Sequence, residues 1–130
     1  MKTNNKKSKA FFISIISIDT IKTIAKQEYL NDSVLLDKIL HAIKEGDLNL
    51  LKRYSSLIKN RDLNKDLLKN KNKTYALSLD SFKVLEDISL KDHLNQSSTV
   101  NKILLSIITK DFEYLERYVN FFKNNNIGGK

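Results

Sequence analysis

One segment of this chain occurs twice, and this internal repeat, which we call the echo, constrains the fold more than any other feature of the sequence. Residues 38–60 (KILHAIKEGDLNLLKRYSSLIKN) and 102–124 (KILLSIITKDFEYLERYVNFFKN) align without a gap, and ten of the 23 aligned positions are identical. The identical pairs include Asp47/Asp111, Leu51/Leu115, Arg53/Arg117 and Tyr54/Tyr118. The echo predicts that the chain repeats a structural unit.

A shorter match between residues 17–24 (SIDTIKTI) and 78–85 (SLDSFKVL) suggests a smaller period. One aspartate in each of the four segments serves as a marker, and the steps between markers are 28, 33 and 31 residues; the markers are Asp19, Asp47, Asp80 and Asp111. Periods of this length are typical of stacked helical repeats. The simplest role for each aspartate is a helix N-cap, which contributes about 1 kcal/mol.

Each unit is predicted to contain two short helices separated by a turn. In residues 33–60, apolar residues recur at helical spacing on both sides of Gly46. Glycine adopts the left-handed conformation that ends a helix, and Asp47 caps the next one. Lys110 takes the place of this glycine in the second copy, where a left-handed conformation is less comfortable. Residues 12–18 fit either a strand or a helix, and the repeat favours the helix.

We therefore expect an all-α fold in which helix-turn-helix units stack within one domain. The domain is predicted at residues 10–124, with units at about 10–30, 33–60, 74–90 and 98–124. The alternative fold is a compact helical bundle of duplicated helical hairpins. Outside the units, we expect a basic tail at residues 1–9, a polar connector at 60–73 and a flexible C-terminus at 125–130.

The second unit also resembles a known family. HAIKEGDLNLLK at residues 41–52 resembles the two-helix core of an ankyrin repeat, and RDLN at residues 61–64 is similar to the hairpin loop of that family. KNKT at residues 71–74 is similar to the segment before the next first helix, but the family continues with Pro-Leu-His and this chain with Tyr-Ala-Leu-Ser. The resemblance implies an ankyrin-like α-solenoid that binds other proteins through its first helices and connectors.

The positive charge of the chain is concentrated in two places. Residues 1–18 and residues 59–73 each contribute +4 to a formal net charge of +8, and the remaining charges balance. A concentrated positive field steers acidic partners toward the protein. The residues predicted to bind such a partner are His41, Lys44, Glu45, Arg61, Lys65, Lys69, Lys71, Lys73 and Tyr75.

The sequence shows no pattern typical of catalysis. The two histidines stand in no recognisable arrangement with a nucleophile and an acid, and the three glycines form no phosphate-binding loop. Cysteine is absent, which excludes thiol catalysis and zinc-thiolate sites. We therefore expect a non-enzymatic module without cofactor or metal, whose positively biased face binds an acidic protein surface.

Two other functions stay open. The lysines of residues 59–73, with Tyr75, also suit a basic nucleic-acid-binding helical protein, although arginine and interleaved aromatic residues are scarce. The aromatic residues of the last unit suit a self-associating subunit of a larger assembly.

The N-terminal segment needs a separate interpretation. AFFISIISI follows a basic stretch, as in a secretory signal, but no cleavage site follows and the apolar run is too short to span a bilayer. We expect no cleaved signal, no integral membrane segment, and a location in the cytoplasm of the cell or of a host cell into which the protein is delivered.

Overall fold

The structure is a computed structural model that describes residues 6–59 and 64–126. Within these residues, the order of elements is one strand and three helices, followed by a second strand and three more helices. The first half of the molecule consists of β1 (Lys6–Ser14), α1 (Ile15–Gln27), α2 (Asp32–Glu45) and α3 (Leu48–Ser56). The second half consists of β2 (Asn70–Ser78), α4 (Leu79–Asp92), α5 (Gln96–Thr109) and α6 (Phe112–Asn126).

The all-α prediction is wrong, because β1 and β2 pair as an antiparallel two-stranded sheet. This pairing also overturns both predicted arrangements, the ankyrin-like stack of helix-turn-helix units and the bundle of helical hairpins. β1 takes in residues 6–9 of the predicted basic tail, and β2 takes in residues 70–73 of the predicted connector. Residues 12–14 are extended, so the helical choice for the ambiguous N-terminal segment holds only from Ile15 onward.

Residues that are 64 positions apart occupy equivalent places in the two halves. Each helix N-cap and its equivalent accept a backbone hydrogen bond through the side chain, as seen at Ser14/Ser78, Asn31/Asn95 and Asp47/Asp111. The sheet has the same symmetry. Lys6 pairs with Ser78, and their equivalents in the other half, Asn70 and Ser14, also pair with each other. An approximate two-fold axis therefore passes through the central pair, Ala10 and Thr74, and exchanges the halves.

The turns between helices repeat as well. Gly46 ends α2 with φ of 78°, and Lys110 ends α5 in the same left-handed conformation with φ of 61°. The turns that follow α1 and α4 contain a second left-handed pair, Tyr29 and His93, with φ of 59° and 57°. Of the four aspartates predicted to cap helices, Asp47 and Asp111 do so. The prediction is wrong for the other two, because Asp19 lies inside α1 and Asp80 in the first turn of α4.

The middle helix of each half packs mainly against the opposite half. α2 contacts β2, α4 and α6, while α5 contacts β1, α1 and α3. Most of their apolar residues are buried, whereas Val34, Leu105 and Ile108 are half-buried. The completely buried ones include Leu35, Leu36, Ile39, Leu40, Val100, Ile103, Leu104 and Ile107. All the elements contribute to one continuous apolar core, so the two halves interlock rather than stand side by side.

Candidate nucleic-acid interface

The β1–β2 ribbon has one buried face and one exposed face. Successive side chains of a strand point to opposite faces, and the register pairs odd-numbered residues with odd-numbered ones. On the odd-numbered face, the C-terminal part of each strand lies over the core, and its apolar side chains are buried; they are Phe11, Ile13, Tyr75 and Leu77.

The even-numbered side chains form the outer face of the ribbon, except Ser14 and Ser78 at the strand ends, which are buried and half-buried. This outer face consists of Lys6, Ser8, Ala10, Phe12, Asn70, Asn72, Thr74 and Ala76. All of these residues are exposed except Ala76, which is half-buried. Phe12, with 53% of its surface exposed, is the largest apolar side chain of the outer face. The face is therefore a polar surface about nine residues long, with small side chains, Ala10 and Thr74, at its centre.

Four lysines, which we call the flanking lysines, lie in the N-terminal parts of the two strands. Each is on the odd-numbered face and pairs with a buried apolar residue of the other strand. They form two equivalent pairs, Lys7/Lys71 and Lys9/Lys73. Lys73 is half-buried and the other three are exposed. The ammonium group of Lys9 donates to Oε1 of Gln96 at 3.0 Å and lies 5.8 Å from the ring centre of Phe11. Neither strand contains an acidic residue, so with Lys6 the ribbon carries five positive charges and no negative charge.

Serine side chains from the middle helices cover the outer edges of the ribbon. The N–H of Phe12 donates to Oγ of Ser97 at 2.9 Å, and the N–H of Ala76 donates to Oγ of Ser33 at 2.8 Å. These contacts are equivalent, and each joins a strand to the middle helix of the opposite half. The first turns of α2 and α5 therefore lie beside the two edges of the ribbon.

One turn further along each middle helix, an amide or carboxylate binds the end of the strand, and we call these two contacts the clasps. Oδ1 of Asn101 accepts hydrogen bonds from the N–H of Ser14 at 3.0 Å, from Oγ of Ser14 at 2.9 Å and from Oγ of Ser17 at 2.7 Å. In the equivalent clasp, Oδ1 of Asp37 accepts from the N–H of Ser78 at 2.9 Å and from its Oγ at 3.0 Å. Because these edge N–H groups already have acceptors, they are not free to pair with a further strand.

The structure separates the predicted partner-binding residues instead of gathering them on one surface. His41, Lys44 and Glu45 lie on α2, and His41 is two helical turns, about 12 Å, beyond the serine that contacts the ribbon. His41 and Glu45 line a shallow groove with Leu50, while Lys44 faces Asp80 of α4 at 3.7 Å. None of these three residues is part of the outer face.

The remaining predicted residues precede or belong to β2. Lys65 and Lys69 are exposed in the turn before the strand, where Lys69 lies 3.3 Å from Asp66. Lys71 and Lys73 are two of the flanking lysines. Tyr75 is buried beside Phe11, with ring centres 6.3 Å apart, so its side chain belongs to the core. Arg61 lies outside the described residues.

Burial raises the pKa of the Tyr75 hydroxyl above its ordinary value, and the negative charge of Asp32 acts in the same direction. Among the residues that the structure describes, this hydroxyl has no hydrogen-bond partner. Its place under the ribbon is equivalent to that of Phe11, which has no hydroxyl. Tyr75 thus supports the ribbon from below and does not extend its exposed surface.

The sequence predictions missed the outer face of β1 and the polar residues of β2. A signal for them exists, because the 64-residue spacing of the echo also relates the two strands. KSKAFFIS at residues 7–14 and KNKTYALS at residues 71–78 share the pattern Lys-x-Lys-x-aromatic-x-aliphatic-Ser. The aromatic and aliphatic positions of this pattern are buried, and its x positions belong to the outer face.

Comparison of the chain with protein-family models, with curated proteins and with solved structures finds no match. Of the helices in residues 6–59 and 64–126, none combines the length and apolar character that crossing a membrane requires.

Proposed function

We propose that this protein binds duplex DNA by placing the β1–β2 ribbon in the major groove. The observation that carries the proposal is the ribbon itself, a solvent-facing antiparallel pair with an approximate two-fold axis, a polar outer face and lysines at both ends. The major groove of B-DNA is about 12 Å wide and admits a two-stranded β-ribbon. Ribbon and sheet elements are an established means of reading DNA grooves.

The outer face has the chemistry that base edges require. Its serine, threonine and asparagine side chains donate and accept hydrogen bonds, which is how base edges are distinguished in the major groove. The small residues at its centre, Ala10 and Thr74, let the ribbon backbone approach the floor of the groove. Neighbouring outer side chains on one strand are about 6.6 Å apart, roughly the rise of two base pairs.

The flanking lysines are suited to the phosphates that border the groove. Each phosphate neutralised by a lysine releases counterions, and the logarithm of the binding constant then falls with the logarithm of salt concentration by about 0.9 per phosphate. These lysines occur in equivalent positions on both sides of the two-fold axis, so both walls of the groove would be contacted alike. Contacts of this kind position a protein on DNA without reading its sequence.

The first turns of α2 and α5 add to the same surface. Helix N-termini present unpaired N–H groups and a partial positive charge, which favours phosphate. Both turns are held beside the ribbon by Ser33 and Ser97. The first turn of α5 contains no acidic residue, whereas that of α2 contains Asp32. We therefore expect the α5 end to contribute more to phosphate binding than the α2 end.

A protein with an acidic surface is the competing partner. Its attraction to the ribbon would also weaken with salt, so charge alone does not separate the two functions. The outer face favours DNA, because the centre of a protein interface is usually apolar, and on this face Phe12 is the largest apolar side chain.

A fluorescence-anisotropy titration of a 20-base-pair labelled duplex at several salt concentrations, on the order of 50 to 200 mM, tests the proposal. The wild-type protein is expected to bind with a steep salt dependence. Replacing the four flanking lysines with glutamine should reduce the slope by up to about 3.6, since each phosphate that is no longer neutralised lowers it by about 0.9.

The matched control replaces four exposed lysines outside the ribbon with glutamine: Lys26, Lys52, Lys59 and Lys123. It changes the net charge equally and should largely preserve the slope. No duplex binding by the wild-type protein at low salt contradicts the proposal and favours an acidic protein partner. An equal reduction of the slope in both variants contradicts DNA binding through the ribbon, because lysines elsewhere then contribute as much.

A further inference from the structure

The two-fold axis that relates the halves does not relate the residues of the outer face. On one side of the central pair, the outer face presents Lys6, Ser8 and Ala76. On the other side, the equivalent positions carry Asn70, Asn72 and Phe12. None of these three pairs is identical, although the flanking lysines beside them are identical in both halves.

This contrast matters because a homodimeric DNA reader must present the same residues to both half-sites, and its target is therefore palindromic. In this protein both halves belong to one chain, so the two sides of the ribbon can differ. The lysines that would hold phosphates are symmetric, whereas the side chains that would face bases are not.

The chemistry of each side indicates different bases. Asparagine makes a bidentate contact with adenine, and phenylalanine packs on the methyl group of thymine. Lysine favours the O6 and N7 acceptors of guanine, and serine discriminates weakly. Asn70, Asn72 and Phe12 therefore suit A·T pairs, while Lys6 suits a G·C pair near the other end of the ribbon.

We propose that the protein reads a non-palindromic DNA sequence in one orientation, with an A·T half under the Asn70 end of the ribbon and a half containing guanine under the Lys6 end. This inference rests on the proposed binding of duplex DNA. It goes further because it assigns sequence discrimination to the outer face and a direction to the complex.

The test is selection of bound duplexes from a library randomised over about 12 base pairs. A nine-residue strand spans roughly 30 Å, and 12 base pairs are somewhat longer than this, about 40 Å. Three proteins are compared: the wild type and two variants with symmetric outer faces. The first variant gives both sides the residues of the Lys6 side, through Asn70→Lys, Asn72→Ser and Phe12→Ala. The second gives both sides the residues of the Asn70 side, through Lys6→Asn, Ser8→Asn and Ala76→Phe.

The first variant alters only exposed positions, so it keeps the test valid if the substitution at the half-buried Ala76 disturbs folding. Circular dichroism checks that each variant is folded. In a direct titration, the wild type should bind its selected sequence about tenfold more tightly than a palindrome built from either half-site.

The wild type is expected to select a sequence without two-fold symmetry, and the first variant a palindrome of the half containing guanine. The second variant should select a palindrome of the A·T half. A palindromic wild-type site, or binding without sequence preference, overturns the inference and leaves DNA binding intact. Variants that still select the wild-type sequence also overturn it. Failure of all three proteins to bind any duplex rejects the proposed function as well.

Discussion

Ser33 and Ser97 hold opposite edges of the ribbon by the same hydrogen bond, whereas Lys6 and Asn70, equally related by the two-fold axis, have different charges and different chemistry. The first pair lies where the halves meet, and the second pair lies where the molecule meets solvent. The same division separates the buried pair Phe11 and Tyr75, both aromatic, from the exposed outer face above them.

The difference shows which constraints act on each region. A side chain between the halves must satisfy close packing and the hydrogen-bonding groups of its neighbours, and equivalent surroundings therefore favour similar residues. The outer face points away from the core and is free to differ. The similar interior residues thus reflect the shared architecture of the two halves. The residues that differ on the outer face are the ones that can determine binding specificity.

The strongest test of this comparison separates the halves by producing residues 1–60 and 61–130 as two chains. Because α2 and α5 bury their apolar faces against the opposite half, neither piece should fold as a monomer, and the whole folding free energy, typically about 5–15 kcal/mol, should disappear. Mixing the pieces should restore helical circular dichroism and a melting temperature that rises with concentration.

Light scattering on each isolated piece serves as the control, because a symmetric homodimer would also satisfy the apolar faces. A monomeric piece with a cooperative melting transition that is independent of concentration would contradict the interlocked fold.

Removing the side chain of a clasp should have the next largest effect on stability. Asn101→Ala removes the acceptor of three hydrogen bonds and leaves the buried N–H of Ser14 unpaired, which should cost about 2–3 kcal/mol in urea unfolding. Asp37→Ala should cost about 1–2 kcal/mol, because Ser78 is only half-buried.

Asp37→Asn is the matched control for the clasps, since it introduces the residue that the other half uses and retains Oδ1 as an acceptor. It should cost less than about 1 kcal/mol. If Asn101→Ala changes the free energy of unfolding no more than this control, the clasps do not hold the ribbon.

The smallest effect concerns the buried aromatic pair. Tyr75→Phe makes the two halves alike at this position and removes a buried hydroxyl without a partner among the described residues, so stability at pH 7 should stay equal or rise by up to about 1 kcal/mol. Phe11→Tyr, which adds a second such hydroxyl, should instead lower the free energy of unfolding by about 1–3 kcal/mol.

The stability of the protein should also depend on pH through Tyr75. Burial raises the pKa of Tyr75 in the folded state above the unfolded value of 10.0. The free energy of unfolding is therefore not lowered by this phenol below pH 10. It falls as pH rises from 10 toward the folded pKa, since only the unfolded state releases the proton in this range. Tyr75→Phe should show a shallower loss of stability above pH 10. A lower stability of Tyr75→Phe at pH 7 would mean that the hydroxyl has a favourable interaction.

The sequence predicts the helical parts of the fold best where the structure buries a continuous helix face. Ile39 and Leu40 recur as Ile103 and Leu104 because both helices fill the same core, and Gly46 ends its helix in the predicted left-handed conformation. These features depend on residues that are close together in sequence, and the helical spacing of apolar residues detects them.

The strands escape prediction because each is only partly over the core. In β1, the odd-numbered face begins with Lys7 and Lys9 and becomes apolar only at Phe11. The alternation typical of a half-buried strand is therefore limited to its C-terminal part. The pairing of β1 with β2 joins residues far apart in sequence, and no local pattern indicates it.

The shorter sequence match misleads for a related reason. It aligns Ser17 with Ser78, whereas the structure makes Ser14 the equivalent of Ser78. A slip of three residues is close to one helical turn, so the apolar residues remain on nearly the same helix face. The short period and the four helical units came from treating the aspartates of this match and of the echo as one series. This interpretation placed the basic residues 70–73 in a connector instead of a strand.

Contact between the outer face of the ribbon and DNA can be observed residue by residue, by following backbone amide chemical shifts during titration with a short duplex. The largest changes are expected along the ribbon, at Ser8, Ala10, Asn72 and Thr74, with smaller changes in the first turn of α5. Changes confined to the α2 groove at His41 and Glu45, or no changes at all, would show that the ribbon does not bind DNA.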